Sequence, residues 1–70
     1  QDLSVGERFV YEWQKEMSGS YMTGLAELIC NGDRGNQALL ARIYPDEVKA
    51  IQSYQRESGW WEAVQMKAKG

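Results

Sequence analysis

The sequence predicts an all-α fold: a compact, irregular bundle of four to five short helices that forms a single domain over residues 1–70. Apolar residues recur along the chain at the three- and four-residue spacing of a helix face. No stretch alternates strictly between apolar and polar residues in the way that a half-buried strand would. Capping residues, glycines and one proline divide the chain into helices joined by loops of two to four residues.

The composition is typical of a folded domain, since 43% of the 70 residues are hydrophobic and 26% are charged. A single core of this size gives only marginal stability without a metal, a disulfide or a partner. One cysteine and no histidine exclude an internal disulfide and the usual tetrahedral zinc sites. We therefore expect packing to hold the fold together, and oligomerisation stays open.

The first helix is predicted to begin at Ser4, because Glu7 follows at the spacing of a capping box. Ser-Gly-Ser at 18–20 is predicted to end it, and Tyr11 is placed on its outer face. The predicted buried stripe consists of Val5, Phe9, Val10, Trp13 and Met17.

The second helix is predicted to be capped by Ser20 and to end at Asn31-Gly32, a pair that favours a left-handed end. Its predicted stripe consists of Tyr21, Met22, Leu25, Leu28 and Ile29.

Asp33 is the predicted cap of a short third helix, which must end before Pro45. We expect this helix to bury Leu39, Leu40 and Ile43 and to present Arg34, Gln37, Ala38 and Ala41 outward.

Pro45 suits the first turn of a fourth helix, where Asp46 and Glu47 lie near the positive end of the helix dipole. Val48, Ile51 and Tyr54 form its predicted buried stripe.

The direction in which the adjacent side chains of Trp60 and Trp61 point depends on whether the helix breaks at Gly59. In an unbroken helix they would rotate away from the stripe of Val48 and Ile51. In a fresh helix starting near Trp60, both rings and Val64 fall within one apolar stripe. Both rings can therefore face one surface only if the chain turns at Gly59, and the sequence leaves that turn open.

No group of residues in the sequence meets the requirements of a catalytic site. The chain has no histidine base, no Ser or Cys triad and no glycine-rich phosphate loop. We therefore predict no enzymatic activity, no cofactor, no metal and no small-molecule substrate. Cys30 is interpreted as a small, partly buried filler in preference to a reactive thiol.

Protein binding is the predicted function, either to another protein or to a second copy in a homodimer. Trp and Tyr are enriched among interface hot spots, so Trp60, Trp61 and Tyr11 are the candidate residues. At least one of the two tryptophans is expected in the core, which leaves the other for a second chain.

The alternative is a helix-turn-helix-like DNA-binding regulator that uses residues 33–43 as its recognition helix. Arg34, Gln37 and Arg42 would then contact the DNA, and the first two would also serve as a second protein-binding surface. An αα-hairpin inside a bundle explains the same pattern. The net charge of −2 and the absence of a basic run make nucleic acid the less favoured partner.

No apolar run approaches the length of a membrane span, so we predict a cytoplasmic protein with no membrane partner. The sequence opens on Gln1 in place of methionine, so trimmed ends are an expectation and native ends stay open.

Three segments in this order and spacing carry a family resemblance: SGSYMTGLAELI at 18–29, YPDEVKAIQSY at 44–54 and GWW at 59–61. They resemble small uncharacterised helical proteins encoded by bacteriophages and integrated mobile elements, over a region from about Phe9 to Trp61. The resemblance implies an origin in such an element. It assigns no activity and no catalytic or binding residue.

Overall fold

A computed structural model describes residues 2–70 and confirms the all-α fold as a compact bundle of five helices. The described residues contain no strand. None of the described helices combines the length and the hydrophobicity needed to cross a membrane. The helices are α1 (Val5–Gln14), α2 (Ser20–Asn31), α3 (Arg34–Ala41), α4 (Pro45–Arg56) and α5 (Trp60–Lys69).

The core is organised around α4, which contacts each of the other helices. Its buried members come from α1, α2 and α4, and Val64 of α5 is buried as well. The central cluster consists of Phe9, Val10, Leu25, Ala26, Ile29, Val48, Ala50 and Ile51.

The helices α1 and α4 approach each other closely at Gly6. A Cβ atom there would lie 2.6 Å from the carbonyl oxygen of Asp46 and 2.8 Å from the Cβ of Ala50. Because both distances are shorter than van der Waals contact allows, only glycine permits this spacing.

Most of the predicted helix starts are confirmed. Ser4 Oγ accepts a hydrogen bond from the Glu7 amide at 3.2 Å, and the Ser4 amide donates to Glu7 Oε1 at 2.9 Å. Asp33 Oδ1 accepts from the Asn36 amide at 2.8 Å, and Pro45 is the first residue of α4. Gly59 has a φ of +85°, so the chain turns there and α5 begins at Trp60, which fulfils the condition for both tryptophans to share one surface.

The end of α1 was predicted wrongly, because the helix stops at Gln14 and not at 18–20. Glu16 adopts a left-handed conformation with a φ of +57°. The Met17 amide then donates to the Glu12 carbonyl at 2.8 Å, and the Glu16 amide donates to the Trp13 carbonyl at 3.2 Å, which is the Schellman pattern. The first connection therefore spans residues 15–19, longer than predicted, and Met17 lies outside the helix.

Both ends of α2 also differ from the prediction. The N-cap is Gly19 and not Ser20, which is the first helical residue. Gly32 has an extended backbone with a φ of −77° and a ψ of 149°, so the predicted left-handed end is wrong. The Asn31 side chain donates to the Glu27 carbonyl at 2.9 Å, which satisfies an end carbonyl without a left-handed residue.

The predicted buried stripes of α1 and α2 are correct for their central residues, which are buried, and wrong for their outer residues, which are exposed. Ala26, which was not predicted to be inside, is fully buried and turns α2 away from the expected face. Six residues that were predicted to be buried are exposed by 59–71%: Val5, Met17, Tyr21, Leu28, Leu39 and Ile43.

The helix α3 is rotated about its axis relative to the prediction. Gln37, expected outside, is only 4% exposed, and Ala41 is half-buried. Leu39 and Ile43, expected inside, face outward. The Gln37 side chain donates a hydrogen bond to α2 and accepts one from α4, and these bonds hold this orientation.

Candidate protein-binding face

The predicted aromatic residues lie in one cluster around Tyr54. The ring centroid of Tyr54 lies 5.8 Å from that of Trp13, 6.4 Å from that of Trp60 and 5.8 Å from that of Trp61. All four residues are half-buried and pack against the core. The expectation that at least one tryptophan of the pair belongs to the core is confirmed for both.

Tyr11 joins this cluster from the other side of Trp61. The two ring centroids are 6.1 Å apart, so α5 covers the face of α1 that was predicted to be free. Edge-on aromatic pairs contribute about 0.5–1.5 kcal/mol each beyond the area that they bury. The cluster therefore fixes α5 on α1 and α4, which is a structural role that the rings fulfil within one chain.

A different surface carries large apolar side chains that the fold leaves uncovered. Tyr21 and Leu28 project from α2, Leu39 projects from α3 and Ile43 from the turn that follows α3, each exposed by 59–71%. A groove of about 430 Å³ runs between the two helices, with Leu40 and Tyr44 on the α3 side. We call this surface the α2–α3 face: Tyr21, Leu28, Leu39, Leu40, Ile43 and Tyr44.

Helical spacing explains why these side chains form one surface. Tyr21, Gly24 and Leu28 follow one another at intervals of three and four residues and so share one side of α2. Ile43 follows Leu39 by four residues, and because the C-cap residue Arg42 keeps a helical backbone, the two side chains lie on one side although α3 ends at Ala41. Gly24 leaves a depression between Tyr21 and Leu28, because nothing lies within 4 Å of the position of its missing Cβ.

One end of the face is closed by a hydrogen bond between the hydroxyl groups of Tyr21 and Tyr44. This bond is the main reason why the pKa of the Tyr44 phenol is raised above its ordinary value. The bond connects the first turn of α2 to the residue that precedes α4, and so fixes both aromatic rings of the face.

The two long edges of the face carry opposite charges. Glu27 lies about 100° around α2 from Leu28, on the side away from the groove. Arg42 lies about 60° around α3 from Leu39, also on the outer side. Both side chains are exposed, and the ion pair found within residues 2–70 joins Glu7 to Lys67 instead.

The residues predicted for a DNA-binding surface separate into two groups. Gln37 Nε2 donates to the Ile29 carbonyl at 2.8 Å and Gln37 Oε1 accepts from Gln52 Nε2 at 3.0 Å, so this side chain is unavailable to a base edge. Arg34 and Arg42 are exposed. Arg34 also borders a groove of about 540 Å³ between α3 and α4, together with Lys49 and Arg56.

Cys30 is half-buried, in line with its interpretation as a filler. Gln55 Nε2 donates to its carbonyl oxygen at 3.0 Å and lies 3.2 Å from its sulfur. In the part of the chain that the structure describes, no three metal-ligating side chains converge.

No protein-family model matches the sequence, and neither a curated protein nor a solved structure matches it significantly. The geometry of the chain itself is therefore what bears on function. The sequence pattern did not reveal the α2–α3 face, because its apolar residues had been assigned to the core. A usable signal was nonetheless present: α2 carries apolar residues over an arc wider than one core-facing stripe.

Proposed function

We propose that this protein is a non-enzymatic accessory or regulatory protein that acts by binding another protein chain through the α2–α3 face. The observation that carries the proposal is the exposure by 59–71% of Tyr21 and Leu28 on α2, Leu39 on α3 and Ile43 in the turn after α3. Soluble monomers rarely expose contiguous apolar patches larger than a few hundred Å², and larger patches mark interaction sites.

The anatomy of the face supports this proposal. Its centre is apolar and aromatic, and its edges carry charged residues, as expected of a protein-binding surface. The groove offers a place for an apolar anchor from a partner, and the hydrogen bond between Tyr21 and Tyr44 fixes the rings at one end of it.

The aromatic cluster of Trp60, Trp61 and Tyr11 is the weaker candidate surface, because packing on Tyr54 and α1 already accounts for these rings. A cytoplasmic location and an origin in a bacteriophage or mobile element remain predictions of the sequence alone.

Affinity capture tests the proposal when it is run with matched variants. The tagged protein is incubated with a nuclease-treated lysate of its natural host, next to Leu28→Ser and Ile43→Ser variants whose folding has been checked by circular dichroism. Met66→Ser is the control, because Met66 is 69% exposed on α5 and lies outside the face.

We expect a stoichiometric protein, either a second species or an untagged copy, to be retained by the wild type and by Met66→Ser and to be lost with both face variants. A partner that is retained by both face variants and lost with Trp60→Ala or Trp61→Ala would overturn the assignment to this face.

A DNA-binding regulator is the second candidate function, favoured by the concentration of cations on α3 and α4. Arg34, Arg42, Lys49 and Arg56 are four of the eight cations of the chain, and all are exposed. Fluorescence anisotropy with duplex DNA at low salt checks this function, with Arg34→Gln as the test variant and Lys15→Gln as its control. Binding that falls steeply as salt rises, and that Arg34→Gln weakens more than Lys15→Gln, would support it.

A further inference from the structure

We infer that the α2–α3 face binds a second copy of this chain and forms a two-fold homodimer in which α2 of each copy lies on α3 of the other. This inference rests on the proposed function, because it uses the same face and names its partner. A two-fold interface joins one patch to itself, so each part of the patch must complement another part of the same patch.

The charges on the edges of the face provide this complementarity. Glu27 lies along the outer edge of α2, and Arg42 lies along the outer edge of α3. We place the two-fold axis in the plane of the interface and along the direction of α2 and α3. Rotation by 180° about this axis lays α2 of one copy on α3 of the other. Glu27 of each copy then lies on the same edge as Arg42 of the other, which favours association.

The alternative two-fold arrangement, in which α2 lies on α2, is disfavoured by the same charges. It brings the two copies of Glu27 to one edge and the two copies of Arg42 to the other, and like charges across an interface are destabilising. Charge complementarity thus selects one of the two arrangements.

The shape of the face supports the same arrangement. Gly24 leaves a depression on α2, whereas Leu39 of α3 and Ile43 of the following turn are each more than half exposed. When α2 lies on α3, the protruding side chains of one copy meet the depression in the other.

The area of the face sets the expected strength. Helices of 12 and 8 residues present together a surface about 18 Å long and about 20 Å wide. Two copies would therefore bury roughly 700 Å² in total, below the figure of about 1,000 Å² for a stable specific interface. We accordingly expect a weak, reversible dimer that forms only at high protein concentration, with a dissociation constant of about 100 μM or above.

Sedimentation equilibrium at several protein concentrations tests this dimer. We expect the wild type and the control Met66→Lys to populate monomer and dimer in proportions that depend on concentration, and Leu39→Lys to remain monomeric. Both substituted positions are exposed in the single chain, and far-ultraviolet circular dichroism checks that the variants are folded.

A charge exchange tests the arrangement within the dimer. Glu27→Arg and Arg42→Glu should each raise the dissociation constant by about 3- to 10-fold, because each replaces an attraction by a repulsion at two symmetric positions. The double variant Glu27→Arg/Arg42→Glu should return close to the wild-type value.

Each outcome bears on the proposal. A wild type that is monomeric at every concentration overturns the dimer, and so does a dimer that Leu39→Lys leaves intact. A double variant that fails to recover overturns the arrangement of α2 on α3. The proposed function survives the first result if the capture experiment still shows a different protein that Leu28→Ser and Ile43→Ser lose.

Discussion

At the scale of single residues, Gln37 connects three helices of the bundle. Its amide nitrogen donates to the Ile29 carbonyl of α2, and its oxygen accepts from Gln52 of α4. A leucine in its place would remove both bonds and leave the Gln52 amide without this acceptor. We expect Gln37→Leu to lower the free energy of unfolding in urea by about 1–2 kcal/mol.

A matched control is Gln55→Leu, which removes an exposed hydrogen bond to the Cys30 carbonyl. Its effect should stay within about 0.5 kcal/mol. Equal effects of the two substitutions would show that the bonds of Gln37 do not hold α3 in its orientation.

Gly6 is the second residue whose identity the packing determines. Gly6→Ala would place a methyl group 2.6 Å from the Asp46 carbonyl oxygen, so α1 and α4 would have to move apart. We expect a loss of about 1–3 kcal/mol in urea unfolding. Gly24→Ala is the control, since the position is open and helical, and it should stabilise by about 0.5–1 kcal/mol. The stability of both variants is measured at protein concentrations too low for self-association. If Gly24→Ala also lowered the stability, the loss in Gly6→Ala could not be assigned to the packing of α1 on α4.

At the scale of whole helices, the helix starts that the sequence predicts correctly are determined by residues close to them in the chain. The starts at Ser4, Asp33 and Pro45 each depend on residues within one helical turn, so the sequence contains all the information that they require. The rotation of α3 depends on α2 and α4, which supply the partners of Gln37 from distant parts of the chain.

The face was missed for a related reason. Apolar spacing shows that Tyr21 and Leu28 share one side of a helix, and Leu39 and Ile43 share one side of another. It does not show whether the core or another chain covers that side. Only the packing of Ala26 and Gln37 against the core reveals which side remains free.

The end of α1 offers a prediction at this scale. Glu16 closes a Schellman motif in a left-handed conformation that costs an ordinary residue about 1–2 kcal/mol and glycine almost nothing. We expect Glu16→Gly to raise the free energy of unfolding by about 0.5–1 kcal/mol. Lys15→Gly, at a position with a negative φ of −92°, is the control and should not stabilise. A loss of stability in Glu16→Gly would count against this account of the helix end.

The contact between α1 and α5 makes the stability depend on pH. Glu7 Oε2 lies 2.9 Å from Lys67 Nζ, and this bond, followed by the bond from the Ser4 amide, lowers the pKa of Glu7 below its ordinary value of 4.5. Because the pKa is lower in the folded state, the stabilisation is present above 4.5 and is lost as the pH falls through the folded value.

We therefore expect Glu7→Gln to be less stable than the wild type at neutral pH, by about 1 kcal/mol. It should also lose less stability on acidification, as measured by urea unfolding at several pH values. Glu62→Gln, another first-turn carboxylate, is the control and should retain the acid loss of the wild type. An unchanged acid loss in Glu7→Gln would exclude Glu7 as its source.

At the scale of the whole molecule, the limited thickness of the bundle explains why an apolar face remains. The Cα atoms extend over 35 × 26 × 17 Å, so the short dimension holds about two layers of helices. A core this thin encloses Val10, Ile29 and Ile51 completely but has no room for every large apolar side chain of the chain. Those on the outer side of α2 and α3 form the surface that a second chain can cover.

The most direct test of self-association through the α2–α3 face is a dilution series of ¹H–¹⁵N correlation spectra of the labelled wild type. We predict that the amide signals that move with concentration belong to residues 20–31 and 34–44, with the largest changes near Leu28, Leu39 and Ile43. Signals that move instead at Tyr11, Trp60 and Trp61, or spectra that do not change with concentration, would contradict this central claim.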